Sequence, residues 1–168
     1  LPVGLMDEVL PPKTPRPWWG HGEFYSEAPY GNEWIINQYQ LYNHGIPLSG
    51  PDFKTLIKPI DIVEVQKACA RDLFQEWEPK INDLEWFNDP HYQSYFVLNL
   101  CRILHAIINN EAASKKVSAE GIKKEYPEWK DLIEEAENWK FGMEMNRKLE
   151  AIAFIGFVIE KVKERNLI

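Results

Sequence analysis

From residue 32 onward, apolar side chains return every three or four positions, the period of helices that each bury one stripe. Trp34, Ile35, Tyr39 and Tyr42 predict a helix that Asn32 caps and Gly45 ends as a C′ glycine. Val65, Ala68, Cys69, Leu73 and Phe74 predict a second, running to about Trp77. Asp61-x-x-Glu64 opens it as a capping box with Asp in the cap position. The segment from about 91 to 109 is apolar almost all the way round, which predicts a helix at the centre of a bundle. Ser118 is expected to cap a short helix to Tyr126. Pro127 fits the first turn of the next, which carries Trp129, Leu132, Ile133, Ala136 and Trp139. A last helix, from about Glu144 to Glu164, puts Leu149, Ile152, Ala153, Ile155 and Ile159 on its apolar face. The expected fold is all-α, a bundle of five or six helices.

The first 32 residues break this rhythm. Pro2, Pro11, Pro12, Pro15, Pro17 and Pro29 punctuate them, with Gly4, Gly20, Gly22 and Gly31. Prolines remove donors and fix φ, so residues 1–33 are expected to form an irregular arm ahead of a helical domain over 34–168. Leu1 to Met6 reads as the stub of a strand, and no strand is expected after it. Trp18, Trp19, Phe24 and Tyr25 would pack the arm onto another surface.

A hydrophobic fraction of 45% and an aromatic fraction of 13% in 168 residues describe a globular chain. The longest strongly apolar run, Ala151 to Ile159, is too short to span a bilayer. The net charge of -7 argues against nucleic acid as a partner and is compatible with a cationic ligand. Cys69 and Cys101 lack C-x-x-C spacing, which suits two core thiols in a reduced, cytoplasmic setting. The chain starts at Leu1 with no basic leader region, which reads as an excised or processed piece.

His21, His44, His91 and His105 are scattered, and no metal site is expected from this chain alone. No P-loop, G-x-S-x-G or G-x-G-x-x-G is present. Asn99, Arg102 and His105 follow one another at three-residue spacing on the central helix and are expected to share a stripe. A guanidinium there needs an anion. Glu135 or Glu150 could supply it from within, or a phosphate from outside. Lys115, in the turn before the next helix, is either solvated or a second phosphate cation beside a helix N-terminus. The loop from Asp83 to Asp89, with Glu85, Trp86 and Phe87, is either a polyamine or aminosugar site or an ordinary surface loop. Trp129 and Trp139 read as core, and Glu134 to Glu137 as a solvated face.

Tyr39-Gln-Leu-Tyr-Asn-His-Gly-Ile-Pro-Leu-Ser-Gly-Pro51 resembles the segment that closes the catalytic domain of aminoglycoside adenylyltransferases of the streptomycin/spectinomycin type. Val97-Leu-Asn-Leu-Cys-Arg-Ile-Leu104, then Ser114-Lys115, then Trp129 to Gly142, resembles the helical C-terminal domain of the same family. The ordered set covers most of the chain from Trp34. The resemblance implies AMP transfer from Mg-ATP to a drug hydroxyl, by a parent enzyme linked to antibiotic resistance. It implies that Arg102 and Lys115 contact ATP phosphates and that Trp139, with Phe141 as the alternative, lines the nucleotide site. By location, Asp83, Trp86 and Asp89 stand where the family contacts a cationic, aminoglycoside-like substrate; Tyr92 stands where an acid is expected. The family's Gly-Ser motif, D-x-D metal pair and further carboxylate do not occur here. Leu1 to Met6 looks like the stretch just after that carboxylate. The resemblance therefore implies a partner N-terminal nucleotidyltransferase domain that brings Mg-ATP its metal ligands, no catalytic residue in this chain, and no activity of this chain alone. Two rival readings remain open on the residues: a helical interaction module of a toxin–antitoxin or nucleotidyltransferase-associated type, and a plain structural bundle.

Overall fold

The computed structural model describes residues 13, 15–20 and 22–167; the expected strand stub at Leu1 to Met6 lies outside them. Six α-helices follow one two-stranded hairpin: β1 (Arg16–Gly20), β2 (Glu23–Ala28), α1 (Glu33–His44), α2 (Ile62–Asp72), α3 (Pro90–Asn109), α4 (Lys115–Glu125), α5 (Lys130–Asn138) and α6 (Lys148–Lys163). The largely all-α expectation holds. α3 is the central helix: α2, α4, α5 and α6 all pack on it, and Phe96, Val97, Leu100, Cys101 and Leu104 are fully buried.

The hairpin corrects the reading of an irregular arm without strands. β1 pairs antiparallel with β2, with Trp18 opposite Tyr25 and Trp19 opposite Phe24. Pro17 falls between Arg16 and Trp18, where the register is irregular, so the ladder does not need its missing N–H. Gly22, at φ 78°, supplies the left-handed turn residue. Cross-strand aromatic pairs hold the ribbon, Trp18 with Tyr25 at 5.3 Å and Trp19 with Phe24 at 6.5 Å between ring centroids.

Several helix ends differ from the sequence expectation. Ser114 caps α4 by accepting from Val117 N at 3.3 Å. Ser118, expected as the cap, is instead a fully buried residue of α4 whose Oγ has no hydrogen-bond partner among the described residues. Asn32 precedes α1 without a side-chain cap; its amide donates to Gln75 Oε1 at 3.2 Å and ties α1 to the end of α2. Asp61 does cap α2, accepting from Val63 N at 2.9 Å, but Glu64 pairs with Lys67 instead of closing the box. Gly45 is extended at φ -65°, not left-handed. A side chain there would meet Leu41 O at 2.3 Å, so close approach is what requires glycine.

Buried amides fix α3 against its neighbours. Gln66 of α2 donates to the carbonyls of Ala106 and Ile107 at 3.1 and 3.2 Å, satisfying the end of α3. Ser94 Oγ donates to Ala136 O of α5 at 2.8 Å. Gln93 donates to Phe87 O at 2.7 Å and accepts from Arg147 N at 2.9 Å, joining the acidic loop to the approach of α6. Gly121 of α4 lies against His105, whose Nδ1 sits 3.0 Å from Glu111 O. A Cβ at 121 would stand 2.8 Å from His105 Cδ2. Gly121→Ala is therefore expected to lower stability by about 1–2 kcal/mol, the overpacking outweighing alanine's helix propensity. Thermal melting checks this, and an unchanged or higher melting temperature would count against a tight α3–α4 contact.

Candidate functional site

Asn99, Arg102 and His105 do not share one stripe. Each three-residue step falls about 60° short of a full turn, so His105 is rotated about 120° from Asn99. His105 is buried against α4, while Asn99 and Arg102 line an open cleft with Tyr95. The positions that do align are Tyr95, Asn99 and Arg102, four and three residues apart.

The cleft, of about 280 Å³, lies between α1, α2 and α3 and the segment after α3. Glu33 and Asn37 come from α1, Cys69 and Asp72 from α2, Trp77 from the turn that follows, and Ala112 and Ala113 from the far end. Arg102 has neither an ion pair nor a hydrogen bond among the described residues. The two carboxylates that sequence alone offered it are taken: Glu135 and Glu150 both bind Arg147, at 2.8 and 2.7 Å. Lys115 opens α4, half-buried, with its Nζ 4.3 Å from the centroid of the Tyr95 ring. It also has no ion pair among the described residues. Loss of water, and then the nearby Arg102, lower its pKa. The two cations are thus close enough to repel, and among the described residues neither forms an ion pair, although Arg102 acts on the Asp72 carboxylate across the cleft.

Trp139 ends α5, its indole donating to Met143 O at 2.8 Å. Its ring lies 5.4 Å from His91, which is 6.0 Å from Tyr95. Trp139, His91, Tyr95, Lys115 and Arg102 therefore follow one another along the exposed side of α3. Phe141, almost wholly exposed, stands 6.0 Å from Trp139 at the end of this line. Trp129, by contrast, packs on Phe154 and Phe157 at 5.0 and 5.5 Å.

Asp83, Trp86 and Asp89 each have local work. Asp83 accepts from Trp86 N at 3.2 Å and lies 3.8 Å from Lys80. Asp89 caps α3, accepting from His91 N at 2.8 Å. Trp86 stacks on Tyr92 at 4.6 Å and meets Lys80 Nζ at 5.4 Å, so an internal cation is already on its ring. Nor are Glu134 to Glu137 simply solvated: Glu137 binds Lys123 at 2.6 Å and Glu135 binds Arg147.

Sequence reasoning passed over Asp72. It continues the inward stripe Val65, Cys69, which was the signal: a carboxylate on a buried face. Trp77 Nε1 donates to its Oδ2 at 2.7 Å. Burial, the largest cause, pushes its pKa up to about 6; Glu76 and Glu33 raise it, while the Trp77 hydrogen bond and Arg102 lower it. Burial likewise pushes the neighbouring Cys69 thiol up to about 12, so it stays protonated and inert. Among the described residues, no cluster of three His, Cys, Asp or Glu could hold a metal ion, and no helix is long and apolar enough to cross a membrane.

The family model for the C-terminal domain of aminoglycoside adenylyltransferase matches residues 55–159, more than half of the chain. The match contains every one of these cleft and loop residues except Glu33, Ile36 and Asn37 of α1. No curated protein matches the sequence.

Proposed function

We infer the function from one premise: the chain belongs to the aminoglycoside adenylyltransferase family, whose C-terminal domain it carries over residues 55–159. In that setting the helical domain clamps ATP while AMP is passed to a hydroxyl of a cationic, aminoglycoside-like small molecule in the cytoplasm. Arg102 and Lys115 hold the phosphates, and Trp139 lines the nucleotide's side of the same surface. Catalysis here is mostly positioning and charge stabilisation. Magnesium, which neutralises phosphate charge when bound, belongs with carboxylates of a partner nucleotidyltransferase domain. Asp83, Trp86 and Asp89 stand on the acceptor side; the capping bond of Asp89 leaves it a carboxylate oxygen for an ammonium group, while the second oxygen of Asp83 faces Lys80 at 3.8 Å.

One observation carries the reading: Arg102 and Lys115 lie close enough to repel each other, and neither forms an ion pair among the described residues. A plain structural bundle would pair such cations, as it pairs Arg147. Burial first and the nearby Arg102 second lower the Lys115 pKa, and an anion bound between the two cations relieves the second of these.

Arg102→Ala is expected to weaken ATP binding by the complete enzyme about tenfold, one charge-assisted hydrogen bond's worth. Its melting temperature should fall only modestly, since no ion pair is broken and Asp72 loses only a longer-range attraction. Calorimetric ATP titration and thermal melting, run on the same variant, check both halves. A large fall in melting temperature with ATP affinity intact would make Arg102 a structural residue.

A further inference from the structure

The cleft that Arg102 borders has a carboxylate that phosphate binding leaves unused. Asp72 lines it, and the indole of Trp77 is the one hydrogen-bond donor on that carboxylate among the described residues. Glu33, the other acid of the cleft, is already paired with Arg16 at 3.2 Å. Arg102 approaches Asp72 without forming an ion pair. A half-buried carboxylate facing open volume, held in place by a neutral donor, retains its appetite for a cation.

We propose that Asp72 is the seat for an ammonium group of the acceptor substrate, with Trp77 as the positioning residue that orients its carboxylate. The proposal rests on the adenylyltransferase reading for the identity of the ligand as acceptor. The seat itself rests on the cleft. Its volume of about 280 Å³, at the small end for ligand pockets, suits one amine-bearing ring or a short alkylamine. The ring of Trp77 lines the same space and can carry the carbon skeleton next to the charge. The acids from Asp83 to Asp89 offer less, because Lys80 stands on Trp86 and beside Asp83.

Anion and amine are coupled through Arg102. Arg102 repels an ammonium at Asp72 while its own charge is uncompensated. Phosphate on Arg102 removes that repulsion, so anion and amine strengthen each other, and by linkage they do so equally.

The probes are spermidine, streptomycin and inorganic tripolyphosphate, titrated into the chain at low salt. The readout is the indole N–H nuclear magnetic resonance signal of Trp77, assigned with Trp77→Phe, because that proton is the one on Asp72. The expected result is a saturable shift with either amine, weakened more than tenfold by Asp72→Asn. Glu33→Gln, whose carboxylate is already paired with Arg16, should bind nearly as the parent does, and the combined Asp83→Asn, Glu85→Gln, Asp89→Asn variant should lose less affinity than Asp72→Asn. Tripolyphosphate should tighten amine binding several-fold, and Arg102→Ala should abolish that gain. No saturable shift, or undiminished affinity in Asp72→Asn, overturns the seat. Loss of binding in the loop variant with Asp72→Asn unaffected moves the seat to the loop and overturns it equally. Amine binding that depends on Asp72 but ignores tripolyphosphate upholds the seat and overturns the phosphate reading of Arg102.

Discussion

Phe96→Ala is expected to cost about 3–5 kcal/mol of folding stability, the range for deleting a buried aromatic ring. The ring is fully buried in the middle of α3. Phe87 meets it edge-on at 4.8 Å, Trp77 at 5.5 Å and Trp86 at 5.7 Å. Such edge contacts add to the area each ring buries. These neighbours come from the π-helical turn Leu73–Trp77 that continues α2 and the short 3-10 turn Trp86–Asn88 ahead of α3. The cavity would therefore loosen the turns that place Trp77 against Asp72. A loss of that size is a large share of the roughly 5–15 kcal/mol available to a domain. Urea unfolding followed by circular dichroism gives the size of the loss. Phe141→Ala is the control: its ring is almost wholly exposed, so its removal should change stability by no more than about 0.5 kcal/mol. Equal losses in the two variants would mean that Phe96 is not the keystone of these turns.

What could be read from the sequence follows a physical divide. Helices of the bundle announce themselves because burial of one stripe imposes a period on long segments, and α3 stood out because it is buried on nearly every side. The hairpin did not announce itself. Its strands are five and six residues long, and Pro17 reads as a breaker until the irregular register next to it is known. Ser114 and Ser118 both precede helical residues, and only burial tells them apart. At the site, Arg102 and Lys115 were legible as cations on a helix and at a helix start. Asp72 was not, since an acid near a helix end looks solvated until the neighbouring helices close over it. Asp83 and Asp89 illustrate the converse error of resolution: composition cannot distinguish a carboxylate that caps its own turn from one that waits for a ligand.

Asp72→Asn is expected to stabilise the fold at pH 7 by about 2–3 kcal/mol and to lose that advantage near pH 4. The carboxyl's pKa is raised to about 6 in the folded chain, mainly because burial penalises the charged form. In the unfolded chain an aspartate titrates near 3.9. The folded state therefore binds more protons between the two values, and stability falls as pH climbs through that window. Above pH 6 the folded chain carries the full penalty of a charged, poorly solvated carboxylate. The gap corresponds to at most about 3 kcal/mol, and partial exposure of the group reduces it. Asparagine is uncharged, and its amide oxygen still accepts from Trp77 Nε1, so it escapes the penalty while keeping the hydrogen bond. The groups around the carboxyl, Glu33, Glu76, Cys69 and Arg102, stay the same in the variant, so the difference isolates one charge. Urea midpoints of parent and variant between pH 4 and pH 7.5 measure it. A gain that is flat with pH would show that the carboxylate is not destabilised by its surroundings. A loss at pH 7 would show that its charge is already satisfied within the fold. The expected profile has a functional meaning: a carboxylate that weakens its own protein when unpaired is held there against stability, as groups in binding sites often are. An ammonium ligand would recover that deficit on binding, so the parent, but not Asp72→Asn, should gain thermal stability when spermidine is added at pH 7.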